Sequence, residues 1–167
     1  MITIENDTLL PEKLYKRFTR SLPLFCVDII AKSDKGIILG KRKNEPAKGQ
    51  YWLPGGRLHF RESFEDCAKR KMKEETGFDV KVKGFANLYS MRFDNPHPYK
   101  SISLVAYSVI IGGSLDLRNS DLEKVIFVNR VEDWMHPYMK RILTGARAFS
   151  KSPNLLLQIK SSNYLNP

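Results

Sequence analysis

At 167 residues with 42% hydrophobic content, the chain has the length and apolar share of one ordinary soluble domain. It lacks the apolar run of roughly 18 residues that a membrane helix needs, and its first residues, MITIENDTLLPEKLYKRF, lack the apolar stretch of a secretory signal, so a cytoplasmic protein is expected. The net charge of +10 is compatible with nucleic acid, a small polyphosphate substrate or simply a solvated surface; the lysines and arginines are dispersed among acids, which argues against nucleic acid as the main partner.

Residues 10–20 carry Leu10, Leu14 and Phe18 four apart and predict a short amphipathic helix, ended by Pro23. The apolar run PLFCVDIIA and the segment GIILGKR flank an SDKG turn, so a hairpin is expected with strands near 24–32 and 36–42. Cys26 and Cys67 lie in apolar patterns and read as thiols of a reducing compartment. A loop over 43–50 leads to YWLPGGRL, a short strand broken by Pro-Gly-Gly. Ser63 with Asp66 three residues on marks a helix start; Phe64, Ala68 and Met72 form its apolar stripe; Gly77 ends it as a left-handed cap. Strands follow over 78–91 and 101–111 around a polar loop, RFDNPHPYK, and KVIFVNR is a further strand. Residues 131–149 predict a last helix, interrupted near His136-Pro137. Strands and helices in this order point to an α/β or α+β sandwich.

The chemistry concentrates in GGRLHFRESFEDCAKRKMKEETGF. A glycine turn lets backbone approach a ligand closely, and a helix follows at once. On that helix Arg70 and Lys71 stand one turn before Glu74 and Glu75, which permits two ion pairs. Adjacent carboxylates beside a bare turn can also hold a hard divalent cation, which would neutralise pyrophosphate oxygens and orient water.

The spacing of Gly56, Glu62, Arg70, Met72, Glu74, Glu75, Gly77 and Phe78 resembles the Nudix box, G-x5-E-x7-R-E-U-x-E-E-x-G-U with U apolar. Lys71 departs from it, standing where the family has Glu. The resemblance implies an α/β/α sandwich with a mixed sheet, one domain over residues 1–167 with 1–22 as a helical extension and the box at 56–78. It implies a magnesium-dependent hydrolase of a nucleoside diphosphate derivative, with manganese as a substitute. The implied metal ligands are Glu74, Glu75 and the Gly55 carbonyl. Glu62 and Arg70 are implied in support, Arg70 within the catalytic set beside Glu75 and Arg57. In many family members the Glu replaced here by Lys71 binds metal or acts as base, and a charged lysine does neither.

The stretch PLFCVDIIAKSDKGIILGKRKNEPAKGQYWLPGGRL is similar to the GDP-mannose mannosyl hydrolases, which cleave at the sugar carbon and lack the same Glu. That likeness implies that Arg42 and Arg57 grip the diphosphate, as the guanidinium fork suits, and that Asp28 contacts the sugar or nucleotide. It also implies a metal ligand from the loop RNSDLEKVIFV, Asp121 or Glu123, and a possible homodimer through the first helix. The histidine expected beside that ligand is replaced by Leu122. His97 is a weak candidate base, while His59 and His136 read as structural or exposed. Tyr51, Trp52 and Tyr99 are candidates to face a nucleobase. The expected substrate is a nucleotide sugar, cut at carbon or at the pyrophosphate. The alternative is a non-catalytic module that binds a nucleotide sugar or nucleic acid, motivated by Lys71 and the missing histidine.

Overall fold

The computed structural model describes residues 11–94 and 98–155. The elements run α1 (Glu12–Ser21), β1 (Leu24–Ser33), β2 (Gly36–Arg42), β3 (Tyr51–Trp52), β4 (Gly55–Arg57), α2 (Phe64–Thr76), β5 (Phe78–Phe93), β6 (Tyr99–Gly113), β7 (Leu122–Val128) and α3 (Pro137–Gly145). They build one mixed sheet in the order β3-β2-β1-β6-β5, with β4 also paired to β1 and β7 to β2. The β1–β6 ladder is parallel and the others are antiparallel. The fold is the expected mixed-sheet sandwich.

Both faces of the central strands are covered, so β1 reads as a continuous apolar run. Val27, Ile29 and Ala31 pack with Cys67, Ala68 and Met72 of α2. Ile30, with Ile37 and Leu39, packs with Met139, Ile142 and Leu143 of α3. The two-residue period of a strand thus divides one segment between two helical layers.

Helix α2 starts and ends where its sequence says. The Ser63 hydroxyl accepts from the Asp66 N–H at 3.1 Å, and Gly77 closes the helix in the left-handed region at φ 77°. A Cβ at Gly77 would stand 2.3 Å from the Ser114 carbonyl oxygen, so neither the conformation nor the space suits a larger residue.

Three expectations are corrected. The apolar stripe of α1 is not its buried face: Leu14 is 40% and Phe18 45% exposed, whereas Thr19 is buried and Tyr15 half-buried, and Leu10 lies outside the described residues. Strands β5 and β6 extend further towards each other than the alternation suggested, because their ladder continues to the Phe93–Tyr99 pair. The last helix covers only Pro137–Gly145; residues before it are not helical because Pro137 takes the first helical position and His136 caps it by accepting from the Tyr138 N–H at 3.1 Å.

Gly77→Ala is expected to lower unfolding stability by about 1–3 kcal/mol, since left-handed strain adds to displacement of backbone. Urea unfolding checks this, and an unchanged midpoint would refute the assignment of Gly77 as an obligatory cap.

Candidate active site

The site is set by one pairing. β4 lies antiparallel to β1 with Asp28 opposite Gly55 and Cys26 opposite Arg57. Backbones come so close that a Cβ at Gly55 would stand 2.4 Å from the Val27 carbonyl oxygen and 2.9 Å from Asp28 Oδ1. The chain then turns into α2, which delivers Glu75 back to the same turn. The Gly55 N–H donates to Glu75 Oε2 at 3.2 Å.

A cavity of about 310 Å³ opens here, within the range of small-molecule sites. Its wall brings together Asp28, Arg42, Gly55, Arg57, Glu75, Tyr99 and Asp121, all expected site residues, and adds Lys71. Arg42 is anchored by donating from Nε to the Pro46 carbonyl at 2.7 Å. The Arg57 guanidinium lies over the Tyr15 ring, 4.5 Å from its centre. Part of the wall is aromatic: Trp52 stacks on Tyr138 at 5.3 Å, and Phe93 on Tyr99 at 5.1 Å.

Other expected residues lie elsewhere. Glu74 is outside the cavity wall, half exposed, and paired with Arg70 at 3.2 Å. Glu123 pairs with Lys41 at 2.9 Å on the exposed side of β7. Arg70 sits behind the site, where it donates to both Glu62 oxygens at 2.6 and 2.8 Å and to the Arg57 carbonyl at 3.1 Å. Its place is that of a brace for the Gly55–Arg57 turn. Among the described residues no histidine lines the cavity; His59 and His136 are elsewhere and His97 lies outside those residues. Tyr51 meets Trp134 edge-on, outside the wall.

Lys71 is the residue whose position the box could not supply. Its ammonium lies 3.1 Å from Glu74 and 3.1 Å from Glu75. Burial disfavours its charge, yet the two carboxylates outweigh burial and hold its pKa above the ordinary lysine value. Burial raises the Glu75 pKa, against the lowering pull of Lys71. Glu74 is held below the usual carboxylate range, because Lys71 and Arg70 overcome its partial burial.

The cavity wall carries the carboxylates of Asp28, Glu45, Glu75 and Asp121 beside the Gly55 backbone. Glu75, the Gly55 carbonyl and Asp121 suit a hard divalent ion that completes its shell with phosphate oxygens and water. Among the described residues no three His, Cys, Asp or Glu side chains form a ready-made metal cluster.

The NUDIX domain family pattern matches residues 23–142. The chain belongs to the Nudix hydrolase family. It is 28% identical over 143 residues to the low-salt glycan biosynthesis protein Agl8 of Haloferax volcanii, covering 81% of this chain and 90% of that one. It is 39% identical over 105 residues to an ADP-ribose pyrophosphatase of Methanocaldococcus jannaschii, covering 63% of this chain and 62% of that relative. Its fold is that of a MutT NUDIX hydrolase from Burkholderia pseudomallei, with a TM-score of 0.64 at 20% identity over 74% of this chain and 98% of that one. Nudix hydrolases act on nucleotide derivatives and generally use divalent cations. Tyr15 precedes the matched segment, so this Nudix chain lines its cavity partly with a residue from outside that segment.

Tyr15, Lys71 and Tyr138 were not foreseen as cavity residues. Tyr15 sits beside the Leu14–Phe18 stripe and carries no motif. The signal for Lys71 was its place in the box.

Asp28 is 7% exposed, and burial pushes its carboxyl up to about 6; a Ser103 hydrogen bond opposes this and Glu75 adds to it. The folded chain therefore holds this proton more tightly than the unfolded chain. Stability falls as pH rises from about 4 through about 6, and the deficit is complete above that. Asp28→Asn removes the ionisation. It is expected to raise unfolding stability by about 2 kcal/mol at pH 8, with the gain shrinking towards pH 4. Urea unfolding of both proteins across that range checks it; a gain independent of pH would contradict the buried-charge account.

Proposed function

We propose that this Nudix hydrolase cleaves a nucleotide sugar, GDP-mannose among the candidates. The supporting observation is the convergence of Arg42 and Arg57 with Glu75 and Asp121 on one aromatic-walled cavity. Two guanidiniums suit a diphosphate, since each fork meets two oxygens. Asp28 and Tyr99 lie where the attached sugar or nucleoside would rest. The relative named for glycan biosynthesis supports a sugar-bearing substrate, and the relative named ADP-ribose pyrophosphatase supports a nucleoside diphosphate core.

In this reading one magnesium ion, with manganese able to replace it, is held by Glu75, the Gly55 carbonyl and Asp121. When bound it neutralises phosphate charge and makes water a better nucleophile. Glu75 is oriented by the Gly55 N–H, Arg57 is oriented by Tyr15, and Arg70 braces the turn that carries Gly55 and Arg57. Water attack at the anomeric carbon breaks the sugar C–O bond and releases a nucleoside diphosphate with the bonding electrons. Attack at phosphorus breaks the bridging P–O bond and releases a sugar phosphate and a nucleoside monophosphate.

The reading includes a cytoplasmic location, in keeping with Cys26 and Cys67, which are free thiols. Among the described residues no helix is long and apolar enough to cross a membrane. It also includes a homodimer through α1, supported by exposed Leu14, Phe18 and Leu22. Light scattering is expected to give twice the 19.3 kDa chain mass; a monomer at micromolar concentration would remove the dimer alone.

A panel of GDP-mannose, ADP-ribose and related compounds with magnesium tests the activity. Products analysed by chromatography, with heavy oxygen in the solvent, identify the bond broken. No turnover across the panel would leave a binding module as the better account. Glu75→Gln is expected to reduce turnover at least about a hundredfold with the circular dichroism spectrum retained, because it removes the buried carboxylate at the reacting groups. Wild-type turnover in this variant would show the site to be misplaced.

A further inference from the structure

We propose that Lys71 is a tethered cation that takes the place of a divalent ion between Glu74 and Glu75, and that its ammonium binds the substrate diphosphate. This rests on the reading of the cavity as a nucleotide-sugar site.

Three observations converge. The ammonium is held at 3.1 Å from one oxygen of each carboxylate, so it already fills the space where adjacent acids would hold an ion. The side chain is 16% exposed and lines the same cavity as Arg42 and Arg57. Its stem is seated across Gly56: a Cβ there would stand 2.7 Å from Lys71 Cε and 3.0 Å from Cδ. Glycine at this turn therefore makes room for the lysine stem, and the ammonium is aimed rather than free to sweep solvent.

An ammonium carries three N–H donors. Two meet Glu74 and Glu75, and among the described residues the third is available to an oxygen entering the cavity. A phosphate oxygen gives it a charge-assisted bond, and with Arg42 and Arg57 it brings a third fixed positive charge to the diphosphate. A divalent ion cannot share the Glu74–Glu75 space with this ammonium, because two cations would then compete for the same oxygens. Any resident ion is left the Glu75 oxygen that lies beside Gly55. The role of Lys71 is thus binding and charge neutralisation, with no proton transferred.

Calorimetric titration of the full chain with GDP and with ADP, in EDTA and in magnesium, tests this. Wild type is expected to bind at least one of them in EDTA. Lys71→Met is expected to weaken that binding at least about tenfold, the scale of one charge-assisted bond, with Lys71→Arg retaining most of it. Equal affinity of Lys71→Met and wild type, or wild-type binding seen only in magnesium, would overturn the role of Lys71 while leaving the nucleotide reading intact. No binding under either condition would sink the nucleotide reading, and this inference with it. Counting bound manganese by electron paramagnetic resonance supplies a readout independent of turnover. Wild type is expected to hold at most one ion per chain, and Lys71→Glu to gain at least one. Two or more ions on wild type, or no gain in a folded Lys71→Glu variant, would refute the tethered cation. The wild-type count stands even if that variant fails to fold.

Discussion

The close approach of β4 to β1 is the constraint on which the site depends. Asp28 and Gly55 face each other across a ladder with no space for a side chain at 55. That pairing fixes where the chain enters α2, and the register of α2 then decides which side chains reach the turn. Glu75 and Lys71, one helical turn apart, arrive at the cavity. Glu74 follows a different direction, off the cavity wall, where it pairs with Arg70 and with the Lys71 ammonium. A helix advances about 100° per residue, so neighbouring acids cannot both face one turn without bending towards a shared cation.

The site is electrostatically costly in a way that fits a functional role. It buries Asp28 with its ionisation opposed, and it buries Glu75 and Lys71 against each other. Groups placed against their own solvation cluster where a ligand is meant to compensate them. The mixture of three cations with four acids in one wall leaves neither sign dominant. The proposed substrate, a diphosphate with a sugar attached, would use both: positive charge for its phosphate oxygens and acceptors for sugar hydroxyls.

Behind the site a motif residue lies off the cavity wall and is held in a dense set of hydrogen bonds. Arg70 divides its donors among Glu62, Glu74 and the Arg57 carbonyl, and so ties the helix to the glycine turn. On the other side, Tyr15 of α1 covers the Arg57 guanidinium. The leading helix thereby becomes part of the cavity, which its apolar stripe alone would not have suggested. That stripe faces outward, because the half-buried and buried positions of α1 are Tyr15 and Thr19.

From the sequence by itself came the family-defining helix with both its caps, the hairpin, and the mixed sandwich. The helix and the hairpin follow from local rules of periodicity, capping and turn chemistry acting within a few residues, and the mixed sheet from the family resemblance. Arg42, Arg57, Asp28, Glu75 and Asp121, which the family resemblance had implied, lie together on the cavity wall. Only the tertiary structure decided that Glu74, Glu123 and Arg70 lie off the cavity wall, that Pro137 starts the last helix instead of interrupting it, and that Tyr15 and Lys71 lie on that wall. Those outcomes depend on strand register and helix rotation, which set direction in space. Spacing along a chain states which residues can meet; packing of one element against another determines which of them do.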